Sequence, residues 1–364
     1  MTLEPLALAA STTSAAPPPQ WRPVVFSGEG SAYFRIWIVN IALTIVTLGI
    51  YSPWAKVRRT RYFYQHTQVD GHALDYDARP VDILKGRVVA ALYLLGMGAA
   101  LNAPDARLLP IGLGMQVLLG LLLPLILVWS MRFSLRNTLY RNIRFRFTGS
   151  IGGAYGAVLL WPLLSALSLG LLLPVALWAQ RRYLMQGCAL GRTALHFAEP
   201  LRLRHVYRIH AQAALLTLPW LGMVVLYLAL TLSALSPDAS IPDLGLLPPL
   251  IFLGFIYIAA WVNAALFHLV WNRVALGDIR FRCSLSPWRA AWIHISNLVL
   301  RIVTLGLASP WCRIRWVRYQ STSLSLLMSD EQGAAFLQAQ TRRHPSEGGV
   351  AEGLDDLGGF DLSL

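Results

Sequence analysis

Six polar side chains stand within long apolar stretches, and they are the residues whose chemistry a membrane would make most costly. They are His294, Asn297, Arg301, Asn263, His268 and Asn40. Asn297 and Arg301 follow His294 by three and seven positions, so these three side chains share one face of a helix. Polar groups within membrane segments usually bond to neighbouring helices or line a pathway. We therefore treat the six as a candidate polar pathway, with inter-helix hydrogen bonding as the alternative.

A second set of residues combines cations with aromatic rings on segments that follow Leu-Gly turns. It comprises Trp54, Lys56, Arg58, Arg59, Arg61, Tyr62, Arg181, Arg182, Trp311, Arg313, Arg315 and Arg318. Trp and Tyr favour the membrane interface, and each clustered cation attracts anionic lipid by about 1 kcal/mol near the surface. The set is a candidate for contact with lipid headgroups. The alternative is that these cations only fix the topology of the chain.

The composition excludes most soluble classes. Hydrophobic residues make up 55% of the 364 residues and charged residues only 13%, whereas soluble chains carry about 25% charged residues. The sequence contains no metalloprotease, nucleophile-elbow, P-loop or dinucleotide-binding motif, and its histidines and cysteines lack metal-ligand spacing. We expect a membrane protein that is not an enzyme and has no cofactor or metal.

The elements that position these residues occur three times. Residues 47–62 read TLGIYSPWAKVRRTRY, residues 304–319 read TLGLASPWCRIRWVRY, and residues 168–183 read SLGLLLPVALWAQRRY. The first two segments align without a gap, which places Asn40 on Asn297. Each copy is predicted to contain a short strand, an apolar helix, a Leu-Gly turn and a basic-aromatic helix. The predicted strands are 24–26, 144–147 and 280–282, with closing strands at 73–76 and 194–197.

The cations indicate membrane topology rather than nucleic-acid binding, despite a net charge of +13. Segments 54–87, 132–153, 179–210, 272–289 and 310–319 are basic, whereas 102–109 and 236–246 are poor in cations. Positive residues in short loops mark the cytoplasmic side. We expect the basic segments and the C-terminus to be cytoplasmic, the partner to be the phospholipid bilayer with its anionic headgroups, and no nucleic-acid partner. The oligomeric state stays open.

This charge distribution conflicts with a repeat unit that crosses the membrane an odd number of times. Inverted copies would export the six cations of 179–210. The conflict disappears if the repeat helices re-enter or lie at the interface, which leaves four spans near 88–103, 110–131, 211–235 and 247–271. The alternative is seven full spans, which the uncharged stretch 151–180 supports. We thus expect an all-α polytopic membrane protein with internal repeats, four to seven transmembrane helices, re-entrant or interfacial helices and short cytoplasmic β-strands.

The expected organisation alternates repeat units with transmembrane hairpins. It comprises a disordered tail (1–22), repeat unit 1 (23–87), transmembrane hairpin 1 (88–135), repeat unit 2 (136–210), transmembrane hairpin 2 (211–271), repeat unit 3 (272–328) and a second disordered tail (329–364). The third unit, which runs SLSLLMSD after Thr322, is expected to lack a closing strand.

The first unit resembles a known family. The features that carry the resemblance are Phe26-Ser-Gly, Tyr33-Phe34, Asn40, Thr47-Leu-Gly-Ile-Tyr51, Trp54, Arg58, Tyr62, Asp70-Gly71 and Lys85-Gly86. Together they resemble the YjgN-like family of bacterial inner-membrane proteins, whose function is undetermined. The resemblance implies a multi-pass protein of the bacterial inner membrane, and it supplies no catalytic residue.

Two functions from different classes remain open on the sequence. Duplicated units and intramembrane polar residues favour transport of a small or anionic solute. Basic-aromatic helices on one face favour a non-transporting membrane scaffold or a module that binds anionic lipid. The first predicts a continuous polar cavity at Asn40, Asn297 or Arg301, and the second predicts lipid binding that depends on Arg58, Arg59 and Arg61.

Overall fold

A computed structural model describes residues 19–233 and 247–328. Most of the predicted N-terminal tail, the predicted C-terminal tail and the cation-poor segment 236–246 lie outside the described residues. Gln20–Pro23, whose first three residues the sequence analysis assigns to the tail, form the first strand.

The described residues form one antiparallel sheet of eleven strands, so the expected all-α class is wrong. The strands are β1 (Gln20–Pro23), β2 (Val25–Phe26), β3 (Thr67–Val69), β4 (His72–Tyr76), β5 (Thr138–Tyr140), β6 (Ile143–Phe147), β7 (Cys188–Leu190), β8 (Thr193–Phe197), β9 (Val274–Leu276), β10 (Ile279–Cys283) and β11 (Leu324–Met328). The spatial order is β1-β11-β10-β9-β8-β7-β6-β5-β4-β3-β2. Every predicted strand is present. From the sequence they are expected as short cytoplasmic β-strands, and each is too short to indicate that all of them join one sheet.

The sheet closes on itself into a ring. Its two edges, β1 and β2, are separated in the chain only by Val24, so they act as one strand paired with β11 along its first part and with β3 along its second. The backbone N–H of Val24 donates to the carbonyl of Leu324 over 2.9 Å. The guanidinium of Arg22 contacts the carboxylate of Asp70 at the β3–β4 turn, which ties the two edges together. Closure leaves little exposed edge for unwanted pairing.

Apolar side chains fill the interior of the ring. Buried Val24, Ile143, Leu190, Leu276 and Ile279 belong to one cluster drawn from strands around the circumference. On β6 and β10 the apolar side chains alternate with exposed arginines, which therefore point outward. The ring is a packed core, and its shared interior explains why the strands of all three repeat copies assemble together.

Helical hairpins are inserted between paired strands of the ring. Short hairpin 1 consists of α1 (Gly30–Val46) and α2 (Ser52–Gln65). Short hairpin 2 runs from α5 (Ile151–Ala154) through a π-helical segment and α6 (Trp161–Leu167) to α7 (Leu173–Gly187). Short hairpin 3 consists of α10 (Pro287–Val303) and α11 (Ser309–Thr322). They join β2 to β3, β6 to β7 and β10 to β11, which are neighbours in the sheet. Each short hairpin therefore returns to the strand beside the one it left.

The tips of the short hairpins share one backbone geometry. Leu48, Leu169 and Leu305 have φ of 50, 51 and 50°, and the following glycines have φ of 91, 89 and 88°. In each turn a hydroxyl accepts a hydrogen bond from the backbone four residues later, as Thr47 does from Tyr51 over 3.0 Å. Glycine is required at these positions because the backbone of any residue with a Cβ would be strained at this φ. The three leucines accept a strained φ and are nonetheless 94, 96 and 93% exposed.

Two long hairpins contain the helices that can cross a membrane. Long hairpin 1 is α3 (Pro80–Leu101) with α4 (Leu109–Arg136), between β4 and β5, and long hairpin 2 is α8 (Leu203–Ser233) with α9 (Leu247–Trp271), between β8 and β9. These four helices occur where the sequence analysis places four spans, although three of them begin earlier. The apolar stretch 151–180 is interrupted by the turn at Leu169 and Gly170, so it is not one continuous helix.

One strand follows the basic helix of the third unit in the described residues. Leu324–Met328 form β11, which pairs with both β10 and β1. Its position along the unit is that of β3 and β7 rather than that of the closing strands β4 and β8. In the described residues no long hairpin separates short hairpin 3 from short hairpin 1, and the two pack directly against each other through α11 and α1.

Candidate functional site

A tyrosine at the base of each short hairpin fixes the relative position of its two helices. The Tyr62 hydroxyl donates to the carbonyl of Glu29 and accepts from its N–H, both over 3.0 Å. Tyr319 makes the same pair of contacts with Ser286, and Tyr183 donates to the carbonyl of Ser150 over 2.9 Å. Tyr62 is 8% exposed. The structure thus places this predicted headgroup contact in the packed base of the hairpin.

The two asparagines aligned by the repeat differ in their hydrogen bonding. Asn297 is buried between α10 and α11, where its Nδ2 donates to the carbonyl of Cys312 over 3.0 Å and its Oδ1 accepts from Arg315 over 3.4 Å. Asn40 is equally buried, at 7% exposure, but its Oδ1 accepts no hydrogen bond from any described residue. A buried polar atom without a partner costs about 1–3 kcal/mol. The two aligned asparagines therefore differ in their amide oxygens: that of Asn297 accepts a hydrogen bond, whereas that of Asn40 accepts none from a described residue.

Asn40 faces a cleft of about 400 Å³ between α1, α2 and the start of α3. Its cations are Lys56, Arg59 and Arg87, and its neutral polar groups are Tyr33, Asn40, Thr44 and Ser52. Trp37, Ile41, Ala55 and Ile45 complete the wall. The volume lies within the range of about 300–1,000 Å³ that is typical of small-molecule sites. None of the described residues lining it is a carboxylate.

The charges around the cleft are all positive. Lys56 is 6% exposed, and Arg87 bonds to the hydroxyl of Ser52 at the first residue of α2. The first turn of α2 carries no acidic residue, so the positive end of its dipole is uncompensated there. Arg313 of short hairpin 3 lies close enough to Arg59 for the two charges to repel. The lining of the cleft therefore favours an anion over a cation.

The other predicted headgroup contacts are spread over the three short hairpins. Arg58 is exposed beside the cleft, Arg61 donates to the carbonyl of Tyr76 over 3.1 Å, and Trp54 stacks on Tyr51. On short hairpin 2, Arg181 donates to Asn263 over 3.1 Å, and Arg182 lies over Trp178.

On short hairpin 3, the predicted contacts hold neighbouring elements together. Arg318 donates to the carbonyl of Gly28 over 2.9 Å, Arg313 lies over Phe63, and the exposed Trp311 packs on Phe34. With Arg315 bound to Asn297, most of this set makes contacts within the protein.

The residues of the predicted polar pathway lie on three helices: Asn40 on α1, Asn263 and His268 on α9, and the other three on α10, which packs against α9. His294 packs against Trp316, Arg301 is exposed near the tip of short hairpin 3, and Asn263 and His268 lie on α9. His268 contacts Asn272 over 3.3 Å. These residues are distributed over different elements, and only Asn40 lines the cleft.

Sequence reasoning missed Ser52 and Arg87. Arg87 lies on α3, 31 positions after Lys56, and no spacing links the two residues. A signal was nevertheless present, because Arg87 is a cation at the beginning of an otherwise apolar span, where charge is costly. In the described residues, no group of three or more His, Cys, Asp and Glu side chains is placed to hold a metal ion.

Four apolar helices inserted into a closed antiparallel ring, with a cation-lined cleft beside them, define a membrane protein with a β-domain. The chain belongs to the family described as "Bacterial protein of unknown function (DUF898)", whose model matches residues 22–357.

Curated relatives agree with this membership. The chain is 24% identical to inner membrane protein YjgN of Salmonella typhimurium over 344 residues, covering 80% of this chain and 85% of the relative. It is 32% identical to inner membrane protein YjgN of Escherichia coli strain K12 over 146 residues, covering 40% of this chain and 36% of the relative. The same shares hold for the Escherichia coli O157:H7 protein, so the match spans about a third of the Escherichia coli relatives. No solved structure matches. The chain is thus a bacterial inner-membrane protein in a lipid bilayer environment.

Proposed function

We propose that this chain is a multi-pass, non-catalytic membrane protein that binds anionic phospholipid through the cleft of short hairpin 1. One observation carries the proposal: Lys56, Arg59 and Arg87, from two helices, line a single cleft without a carboxylate among the described lining residues. A cleft lined by cations attracts an anion. Basic pockets between membrane helices are a known mode of binding to lipid headgroups.

The position of the cleft favours a lipid over a soluble anion. Asn40 lies about 15 Å along α1 from its start at Gly30, between the ring and the apolar tip. Ile41 and Ile45 continue the wall of the cleft toward that tip, and Ile45 is 68% exposed. A headgroup can therefore occupy the charged end while the acyl chains follow the apolar wall.

The proposed architecture is a triplicated unit with its ring on the cytoplasmic side. The shared geometry of the three tips and the shared tyrosine contacts support the internal repeat. The outward-facing arginines of β6 and β10 lie on the ring, together with the basic segments, which supports a cytoplasmic location under the positive-inside rule. Because every hairpin returns to a neighbouring strand, all these segments share one side.

Transport of a small or anionic solute has weaker support. The ring interior is filled by apolar side chains, and the amide of Asn297 is packed between helices. Long hairpins 1 and 2 pack mainly on different short hairpins, and their helices form no principal contact with each other in the described residues. A solute pathway would need polar groups in one of these places.

The test compares two adjacent arginines in the full-length protein purified in detergent. Arg59→Gln removes a cation that lines the cleft, whereas Arg58→Gln removes a cation one residue away that does not line it; both arginines are exposed, and the change in net charge is the same. Binding of phosphatidylglycerol is measured by native mass spectrometry or by lipid-dependent thermal stabilisation. Arg59→Gln should weaken binding about fivefold, because one cation near anionic lipid contributes about 1 kcal/mol.

Arg58→Gln should change lipid binding by less than Arg59→Gln does. Lys56→Gln provides a second cleft variant from the same helix. Equal effects of Arg58→Gln and Arg59→Gln would mean that lipid responds only to overall charge, which would contradict a site in the cleft. Uptake of a solute by proteoliposomes that depends on Arg59 but not on Arg58 would favour transport instead.

A further inference from the structure

A second group of cations lies where long hairpin 2 joins the ring, on elements other than those of the cleft. We propose that the start of α8 binds an anionic phospholipid, from the membrane leaflet on the side of the ring, through Arg204, Arg208 and Arg273. The residues of this site are not those of the cleft in short hairpin 1, so either site can be wrong without the other.

The two ends of long hairpin 2 bring cations from separate segments together. Arg273 follows α9, and its carbonyl accepts a hydrogen bond of 2.9 Å from the N–H of Ala198, in the linker between β8 and α8. His205, in the first turn of α8, lies close enough to Arg273 to be affected by its charge. Arg204 and Arg208 also lie close enough to affect His205. The fold thus gathers these three arginines around the start of α8.

Short hairpin 2 adds positive charge to the same junction. The indole N–H of Trp178, on α7, donates to the carbonyl of Leu201 over 2.6 Å, and Arg182 lies over the indole ring. The residue after Leu201 is Arg202, which is exposed. Cations from three neighbouring segments therefore meet where α8 begins.

The arginines at the start of α8 are not neutralised by a carboxylate of the described residues. Arg204 and Arg208 are exposed, and neither forms an ion pair with a described residue. Glu199 lies in the linker before α8 and forms no such pair either, and the first turn of α8 contains no acidic residue. Like charges four positions apart weaken a helix, and a cation near its N-terminus opposes the helix dipole. A bound anion would offset both costs.

The helix surface beyond these arginines favours a lipid over a soluble anion. α8 is one of the four helices that are long and apolar enough to cross a membrane. Leu215 and Leu226 follow Arg204 at intervals of eleven positions, or about three helical turns each, so they lie on its face of the helix. They are 67% and 54% exposed. Guanidinium groups bind phosphate through paired hydrogen bonds, and the acyl chains can then run along these leucines.

The test compares two double variants of the full-length protein purified in detergent. The α8 variant carries Arg204→Gln and Arg208→Gln. The matched control carries Arg280→Gln and Arg282→Gln, which remove two exposed arginines of β10 with the same change in net charge. Native mass spectrometry counts the molecules of phosphatidylglycerol that each protein retains. Arg59→Gln leaves these four arginines in place, so the loss of a lipid can be assigned either to this site or to the cleft.

The α8 variant should retain one lipid fewer than the control does. Its affinity for that lipid should fall about 25-fold, which is about fivefold for each cation removed near anionic lipid. Equal retention of lipid by the α8 variant and the control would overturn the proposal, because binding would then depend only on overall charge.

Thermal unfolding distinguishes lipid binding from a structural role of the two arginines. Without added lipid, the α8 variant should be at least as stable as the wild type, because it lacks the like-charge repulsion and the unfavourable contact with the helix dipole. Added phosphatidylglycerol should raise the unfolding temperature of the wild type by more than that of the variant. If the variant were less stable without lipid and equally stabilised by lipid, the arginines would be structural and the proposal would be wrong.

A competition experiment distinguishes the lipid from a soluble source of the same chemistry. Glycerophosphoglycerol carries the headgroup without acyl chains, so it should displace the lipid from the Arg59→Gln protein only at much higher concentrations than phosphatidylglycerol does. Displacement at equal concentrations would show that the start of α8 takes a soluble phosphate ester, which would overturn the assignment to lipid.

Discussion

The exposed leucines at the tips of the short hairpins provide a prediction whose sign can be worked out from the structure. Leu48, Leu169 and Leu305 occupy left-handed φ of 50, 51 and 50° and are at least 93% exposed. A residue other than glycine in that region costs about 1–2 kcal/mol. In water these leucines are therefore unfavourable because their backbone is strained and because their apolar side chains are exposed; glycine would relieve the backbone strain.

Lipid contact reverses that balance. Burying a leucine side chain in an apolar environment gains about 1.5–3 kcal/mol. Replacing a leucine by glycine loses the free energy of burying the side chain in lipid and regains the free energy of backbone strain. The difference between these values weakens the binding of each tip to the membrane by about 1 kcal/mol. We expect the tips of the triple variant to withdraw from lipid while the ring stays folded.

The assay places a spin label on a cysteine introduced at Ile50, which is 62% exposed beside the first tip. Collision rates with oxygen and with a water-soluble nickel chelate are measured in lipid nanodiscs. The wild-type label should favour oxygen, and the Leu→Gly triple variant should shift it toward nickel. The native Cys188, Cys283 and Cys312 are buried or half-buried, which limits background labelling.

A label at Arg144, on the outer face of the ring, is the matched control and should report water in both proteins. Thermal unfolding in detergent should show that the triple variant is no less stable than the wild type. If the wild-type label at Ile50 were as accessible to nickel as the label at Arg144, the tips would not contact lipid and the reasoning would be refuted.

Three further predictions concern packing and the chemistry of the ring. A Cβ at Gly254 would lie 2.3 Å from Trp220, so Gly254→Ala should lower the thermal stability of the protein in detergent by about 1–3 kcal/mol, whereas Gly222→Ala, with open space around it, should not lower it; equal effects would contradict close packing of long hairpin 2. Tyr319→Phe should cost about 1 kcal/mol in chemical denaturation by removing the hydroxyl that joins the ends of short hairpin 3, and an unchanged denaturation midpoint would show that the contact is dispensable. Burial raises the pKa of the Cys188 thiol from 9.0 to about 11, so alkylation of the folded protein at pH 8 should be slow. The free energy of unfolding should fall as the pH rises from about 9 to 11, because the thiol ionises more readily in the unfolded chain. Rapid alkylation of folded protein at pH 8 would show that the thiol is not held neutral.

The sequence predicted local elements better than it predicted their assembly. Alternating Ile143-Arg-Phe-Arg-Phe147 correctly indicated a strand with one apolar face, because alternation is a local property. Its place in a closed ring depends on pairings such as β1 with β11, which join residues some 300 positions apart. No local pattern encodes such a pairing, and the two long hairpins separate the strands further. The all-α interpretation failed for this reason.

The candidate site was predictable only in part for a related reason. Repeat alignment correctly selected Asn40 and Asn297 as special positions, since both are buried polar residues in apolar helices. It also implied that they are equivalent, which the structure contradicts, because Arg315 donates to the oxygen of Asn297 whereas the oxygen of Asn40 accepts no hydrogen bond from a described residue. The third cation of the cleft, Arg87, is the last residue of predicted repeat unit 1 and lies on α3, a helix that follows the three-fold repeated segment. A site that combines the repeated segment with the next helix cannot be predicted from the repeat alone.

A closed antiparallel ring also explains why the repeats need not be inverted. Each insertion leaves one strand and returns to the strand paired with it, as α1–α2 does between β2 and β3. Paired strand ends lie about 5 Å apart, so both ends of every insertion are on the same side of the membrane. An insertion can cross the bilayer twice or enter and return, but it cannot cross once. The distribution of cations and the pairing of strands therefore both support the proposed architecture, in which every basic segment lies at the ring on one side of the membrane.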